Sequence, residues 1–218
     1  MSDAILDVQG LVGGYGKMTI LNGTTFSVPA GSITTVIGPN GCGKSTLFNC
    51  ILGQLTPTDG EVKVDGKVVT GLRPSELNRL GVSRTFQLLQ VFPKLSVREN
   101  LILAGQEHQG NMVSRLFGPS DAGLSAAADQ MIGFFKLEHL ATEAAGGVNL
   151  TMLADLKERL AAINREKRAT FVVIEHNMEF VMSLCTRVMV MAEGRVLAMG
   201  TPAEVRANPA VIEAYLGH

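Results

Sequence analysis

The run Gly38-Pro39-Asn40-Gly41-Cys42-Gly43-Lys44-Ser45 constrains this chain more than any other feature. It reads G-x-x-x-x-G-K-S, the phosphate-binding loop motif. Its flanks give the motif physical meaning. Ser32 to Ile37 is β-branched and apolar, as a buried strand is, and Thr46 to Leu52 carries apolar residues at helical spacing. Successive backbone N–H groups of such a loop point inward and cradle phosphate oxygens. The positive end of the following helix adds to that field. Lys44 is placed to reach the β- and γ-phosphates, and Ser45 to put its hydroxyl on Mg²⁺. Cys42, inside the loop, contributes its backbone N–H.

The 218 residues suffice for one large domain, or a domain with a subdomain. With 46% hydrophobic and 18% charged residues, a substantial core is expected. A net charge of -1 and the lack of a long basic run argue against a nucleic-acid binder, which draws its affinity from phosphate neutralisation. The start, Met1-Ser2-Asp3-Ala4, has no basic region followed by an apolar core, so no secretory signal is expected. No apolar stretch has the length of a membrane span. Cys42, Cys50 and Cys185 lack metal-ligand spacing and are too few for a disulfide framework, which fits a reducing cytosol. The mean hydropathy of +0.22 is high for a soluble chain, and fits apolar surface held against a partner or a large α/β core.

Along the chain, Ile5 to Val8 and Thr24 to Val28 alternate as antiparallel strands around a glycine-rich turn, Gly13-Gly14-Tyr15-Gly16. Glu61 to Val69 reads as a hairpin turning at Asp65-Gly66. A short strand is expected over Val82 to Phe86. Ser96-Val97-Arg98-Glu99 is a capping box that opens a helical stretch to about Leu140, with a polar loop between Gly105 and Gly123. Thr151 to Lys167 has helical spacing. Thr170 to Ile174 is a continuous apolar strand of the parallel-sheet kind. A helix from Met178 to Cys185, a hairpin turning at Glu193-Gly194, and a terminal helix opened by Thr201-Pro202 complete the chain.

Ligands of open α/β sheets bind beyond the carboxyl ends of the strands. Three elements here end a strand with a polar group: the phosphate loop, Gln87 and His176. If their strands are neighbours, all three converge on a γ-phosphate. Gln87 would hold a water or ligate Mg²⁺. A neutral His176 would donate to the γ-phosphate or position an attacking water. Tyr15, in its glycine-rich turn, could stack on a nucleotide base or simply cover the sheet edge.

Taken together, Tyr15, the loop Gly38 to Ser45 with Thr46, Gln87 and His176 resemble, in order and kind, the ATP-binding subunit of ABC transporters. The phrases Arg84-Thr85-Phe86-Gln87, Val97-Arg98-Glu99-Asn100-Leu101, Ile174-Glu175-His176-Asn177-Met178-Glu179 and Ala214-Tyr215-Leu216-Gly217 are most similar to ATPases of branched-chain amino acid importers. Lipopolysaccharide-exporter ATPases are similar too. The resemblance implies an α/β P-loop NTPase fold of the ABC ATPase type, with an N-terminal antiparallel β-subdomain and an inserted helical subdomain. On that pattern residues 1–87 and 147–218 form the β-subdomain and P-loop core, and 88–146 the helical subdomain.

The resemblance further implies ATP and Mg²⁺ as cofactors. Gly38, Pro39, Asn40, Gly41, Cys42, Gly43, Lys44, Ser45, Thr46 and Tyr15 would hold the nucleotide, Ser45 and Gln87 the metal, and Gln87 and His176 would act in catalysis. It implies membrane permease subunits, a second ATP-binding subunit and, indirectly, an external substrate-binding protein as partners. Two such subunits would sandwich two ATP molecules, closing on binding and opening on hydrolysis. The chain would sit on the inner face of the cell membrane. Leu88 to Pro93 is the candidate surface for a short permease helix.

The resemblance breaks at one place. An LSGGQ-like signature should follow the helical subdomain, and then an apolar strand ending Asp-Glu, with Asp on Mg²⁺ and Glu activating water. Here Glu143-Ala144-Ala145 runs directly into Gly146-Gly147-Val148-Asn149, which is similar to the stretch that follows that strand. Between Leu103 and Ala169 no strand-like run ends in a carboxylate, so the phosphoryl-transfer site lacks a Mg²⁺ aspartate and a base. About thirty residues are missing near 145–147, judged by family spacing and the further βα step such a sheet needs. Either the numbering skips residues that the protein contains, which is the expectation, or the segment is deleted. With a deletion, ATP binding without hydrolysis is expected, as in a nucleotide-binding switch module. A GTPase is disfavoured, since Asn164-Arg165-Glu166-Lys167 is not a base-reading Asn-Lys-x-Asp, and a nucleotide kinase is disfavoured by the lack of an arginine-rich lid.

Overall fold

The computed structural model describes residues 4–84, 92–107, 121–147, 156–174 and 184–216. The described chain forms two compact units, Met1–Leu77 with Leu160–His218, and Asn78–Arg159.

The first unit opens with two long strands, β1 (Ala4–Tyr15) and β2 (Met18–Pro29), paired antiparallel. Each has 12 residues, longer than the alternating runs suggest, because a shift in register between Val8 and Leu11 lets the pairing continue. Gly10 takes a φ of 57° there, and Thr25 Oγ1 accepts from its N–H at 2.9 Å. Leu6, Val8 and Leu11 of β1, and Leu21, Phe26 and Val28 of β2, form the buried face. β4 (Asp59–Val64) pairs with the other edge of β1, and β5 (Lys67–Val68) follows through a tight turn, giving the order β2-β1-β4-β5. Asp65 and Gly66 both have positive φ, 49° and 72°, as a two-residue hairpin turn requires.

The second sheet of this unit has the order β6-β3-β7-β8, with β3 (Ile33–Ile37), β6 (Phe171–Ile174), β7 (Arg187–Ala192) and β8 (Arg195–Gly200). β6, β3 and β7 are parallel, and β8 returns antiparallel. All five residues of β3 are buried. Two short terminal helices follow where one was expected, α6 (Pro202–Ala207) and α7 (Pro209–Leu216), because Pro209 restarts the helix. Thr201 and Glu204 form a reciprocal capping box on α6. Val205 and Val211 from these helices pack with Ile37, Val188 and Val190. Earlier in the chain lie α1 (Lys44–Ile51) and α2 (Pro74–Arg79), and before β6 comes α5 (Leu156–Lys167).

The second unit contains α3 (Val97–Glu107) and α4 (Asp121–Phe134). The expected capping box opens α3: Glu99 accepts from the Ser96 N–H at 2.7 Å, and Ser96 Oγ accepts from the Glu99 N–H at 3.2 Å. Arg98 of α3 donates to both carboxylate oxygens of Asp129 on α4, at 2.6 and 2.8 Å. The expected strand over Val82 to Phe86 is not strand at 82–84, and its remainder lies outside the described residues, as does the expected helix from Met178 up to 183.

The junction at 145–147 is continuous. The 218-residue sequence runs through it without a skipped number, and Ala145–Gly147 form a single 3₁₀ turn. Backbone bonds stitch this turn to the segment before α3. The Ala145 N–H donates to Leu95 O at 2.9 Å, the Gly146 N–H to Pro93 O at 3.0 Å, and the Val97 N–H to Glu143 O at 3.0 Å. The chain thus passes directly across the place where the family pattern expects a further segment.

Candidate nucleotide-binding site

β3 ends at Ile37, and the chain turns through Gly38 to Gly43 into α1. Gly38 has a φ of 154°, and a Cβ there would lie 2.3 Å from Met191 O and 2.7 Å from Cys42 Sγ. Only glycine fits where the loop presses on the end of β7. The loop rests on the β7–β8 turn. The Gly194 N–H donates to Cys42 O at 3.0 Å, while Gly194 O accepts from the Asn22 N–H at 3.0 Å and from Thr24 Oγ1 at 2.7 Å. Asn22 Nδ2 adds a bond to Glu193 O at 3.0 Å. The same turn thus holds strand β2 and the phosphate loop. Sequence reasoning saw this hairpin and missed its role as a seat, since nothing in a local pattern reports a bond spanning about 170 residues.

Lys44 is buried, and its ammonium donates to Gly38 O at 2.7 Å and Pro39 O at 2.9 Å, with Cys42 Sγ at 3.7 Å. These carbonyls hold the charge at the mouth of the loop. Pro39, Asn40, Gly41 and Ser45 are exposed, whereas Cys42, Gly43 and Thr46 are buried. The first helical bond of α1 runs from the Leu47 N–H to Gly43 O at 2.8 Å, and no acid sits in its first turn. The helix start therefore offers N–H groups, a lysine and an exposed hydroxyl to an anion with no carboxylate of its own first turn in competition. These residues fit a nucleotide's phosphates. For Mg²⁺ they supply the Ser45 hydroxyl; among the described residues no group of three or more His, Cys, Asp or Glu could hold a metal ion.

Tyr15 ends β1 at the tight turn into β2 and is 51% exposed. Its hydroxyl accepts from Asn49 Nδ2 of α1 at 2.8 Å. Asn49 had no signal in the sequence beyond its place on α1. Gln87 and His176 lie outside the described residues. Ile174 is opposite Val36 in the parallel pair, so β6 ends at the same edge of the sheet as β3. Of the candidate docking surface, Leu88 to Val91 also lie outside, while Phe92 is 60% exposed and Pro93 is exposed. Asn100 fixes Phe92 by accepting from its N–H at 2.8 Å and donating to its carbonyl at 3.1 Å. Among the described residues no helix is long and apolar enough to cross a membrane.

The family model for ABC transporters matches residues 21–177, and one for branched-chain amino acid ATP-binding cassette transporters matches residues 195–218. The high-affinity branched-chain amino acid transport ATP-binding protein BraF of Pseudomonas aeruginosa is 33% identical, over all of this chain and 99% of its own length. LivG of Escherichia coli, described in the same words, is 32% identical over 100% of this chain and 99% of its own. A crystal structure of a nucleotide-free ATP-binding cassette from an ABC transporter superposes with a TM-score of 0.85 at 28% identity, covering 99% of this chain and 100% of that one. An ADP-bound cassette gives 0.84 at 29% identity, covering 99% of each. The alignment with BraF runs over 253 positions against a chain of 218 residues, so at least 35 positions fall opposite no residue here. That agrees with the deletion inferred from the missing signature and Asp-Glu strand. With its phosphate loop seated between β3 and α1, and with these matches over most of its length, the chain belongs to the ABC transporter family of ATPases.

Proposed function

We propose that this chain is the ATP-binding subunit of an importer for branched-chain amino acids, peripheral on the inner face of the cell membrane. The phosphate loop carries the reading. Lys44, held by two carbonyls at the loop mouth, is poised to exchange them for phosphate oxygens. Residues Gly38 to Thr46 hold the phosphates, and Tyr15 stacks on the base. Mg²⁺, when bound with the nucleotide, neutralises phosphate charge, with Ser45 and Gln87 as its protein ligands. Gln87 and His176 serve the γ-phosphate. Residues 88–146 form the helical subdomain, and exposed Phe92 belongs to the surface that meets the permease. The partners are permease subunits, a second ATP-binding subunit and, through the permease, an external substrate-binding protein. The relatives' roles in branched-chain amino acid transport and the match over 195–218 support import over lipopolysaccharide export.

The deletion assigns the labour within the assembly. Without the Asp-Glu strand this chain alone has no base for water. It binds ATP and does not turn it over. Turnover falls to a second ATP-binding subunit that brings its own Asp-Glu strand. The test measures ATP binding and phosphate release by the purified chain, then by the chain assembled in vesicles with permease and second subunit. Binding without release alone, and leucine uptake with release in the assembly, are expected. Absence of ATP binding would overturn the nucleotide reading, and binding without uptake in the assembly the importer reading.

A further inference from the structure

One helix serves both ends of the proposed nucleotide site. α1 begins with Lys44 and Ser45 at the phosphate loop and carries Asn49 about 7.5 Å further along its axis. There Asn49 Nδ2 donates to the Tyr15 hydroxyl at 2.8 Å. Tyr15 needs an anchor. It stands at the end of a strand, on a turn whose neighbours Gly16 and Lys17 are exposed, and is itself exposed. The turn itself is tight: a Cβ on Gly14 would lie 1.8 Å from Met18 O. Holding the phenol oxygen fixes χ1; the oxygen lies on the χ2 axis, so the ring plane is biased only by the donor's preference for that plane. The bond accepts at the phenol oxygen and leaves the ring face open to a flat partner.

We propose that Asn49 is a positioning residue for a purine base. By pinning the tip of Tyr15 from the helix that carries Lys44, it fixes the distance between base platform and phosphate loop, and so favours a purine nucleoside triphosphate over bare polyphosphate. The inference rests on reading Tyr15 as the base contact. A ring held in place before binding loses less freedom when a base stacks on it. Tripolyphosphate gains nothing from the arrangement, because it never reaches Tyr15.

The experiment compares equilibrium binding of ATP and of tripolyphosphate by the full chain and by Asn49→Leu, Tyr15→Phe, Tyr15→Ala and the Asn49→Leu/Tyr15→Phe double variant. Loss of one neutral hydrogen bond predicts ATP binding weaker by about 2- to 10-fold in Asn49→Leu and Tyr15→Phe, with tripolyphosphate unchanged. The double variant should bind ATP no more weakly than either single variant, since both remove the same bond. Equal loss for ATP and tripolyphosphate in Asn49→Leu would mean that Asn49 acts through the fold of α1, and would overturn the inference. So would a loss in Tyr15→Ala with none in Asn49→Leu, or a loss in Asn49→Leu with none in Tyr15→Phe. Unchanged ATP binding in Tyr15→Ala would instead remove the base contact itself. Tyr15→Phe changes one atom on an exposed ring, so it keeps the inference testable if Asn49→Leu does not fold.

Discussion

β3 and β6 are neighbouring parallel strands with opposite fates. β3, Ile-Thr-Thr-Val-Ile, carries two hydroxyls and is buried at every position. β6, Phe-Val-Val-Ile, is wholly apolar and only half-buried at every position. The less apolar strand is the better buried. β3 lies between β6 and β7, whereas among the described residues β6 pairs with β3 alone. Burial here follows the number of neighbours. Composition records the neighbours a strand was selected to have, and a continuous apolar run suits a strand covered on both faces within a parallel sheet. β6 therefore has the composition of an interior strand and the pairing of an edge. That mismatch is what a chain short of one βα step would show.

The strongest test of this contrast is a charge placed in each strand. Val36→Asp in β3 buries an unpaired carboxylate and should abolish soluble, folded protein, whereas Val173→Asp in β6 should still give a cooperative melt, because a half-buried side chain can reach water. Circular dichroism of the two variants reads this directly, and equal failure of both would mean that β6 is an interior strand after all. At the end of β3, Lys44→Ala should weaken ATP binding by about 100-fold while the fold persists, since charge-assisted bonds to phosphate are lost. An unchanged affinity in a calorimetric titration would show that β3 ends in a structural turn only.

Truncations should separate the strands more gently. Val36→Ala should cost about 2 kcal/mol in urea unfolding and Val173→Ala about 1 kcal/mol, because the latter loses less buried contact. The smallest effect concerns a buried thiol in the last turn of α1. Burial pushes Cys50 up to about 11 from its usual 9.0. A raised folded value means that this thiol's contribution to stability is complete below pH 9 and is lost as pH climbs toward 11. The thermal midpoint should fall over that window, and Cys50→Ala should flatten the fall. An identical pH profile in the variant would rule Cys50 out as its source.

The features legible in the sequence were those written in consecutive residues. The phosphate loop, the Asp65-Gly66 turn and the capping box at Ser96 each specify a local backbone that packing then accepts. The length of β1 and β2 was not legible, because a register shift near Gly10 continues a pairing that strict alternation would end. Nor was the split of the terminal helix, although Pro209 signals it once the helix start is moved back. The site divides the same way. Lys44 and Ser45 announce themselves by spacing, whereas the seat at Gly194 and the bond from Asn49 to Tyr15 join residues that only the fold brings together. The lost strand was readable as an absence, but the manner of its closure was not.

That closure has a consequence for what can be built back. The turn at Ala145–Gly147 is clasped by backbone bonds to Pro93 and Leu95, and its last residue, Gly147, has open space where a Cβ would stand. The chain on the near side is tied down independently of what comes next, through Glu143 and Val97. Such a site behaves as a socket: because loop-closure cost grows only slowly with length, residues grafted after Gly147 would leave the bonds to Pro93, Leu95 and Val97 in place.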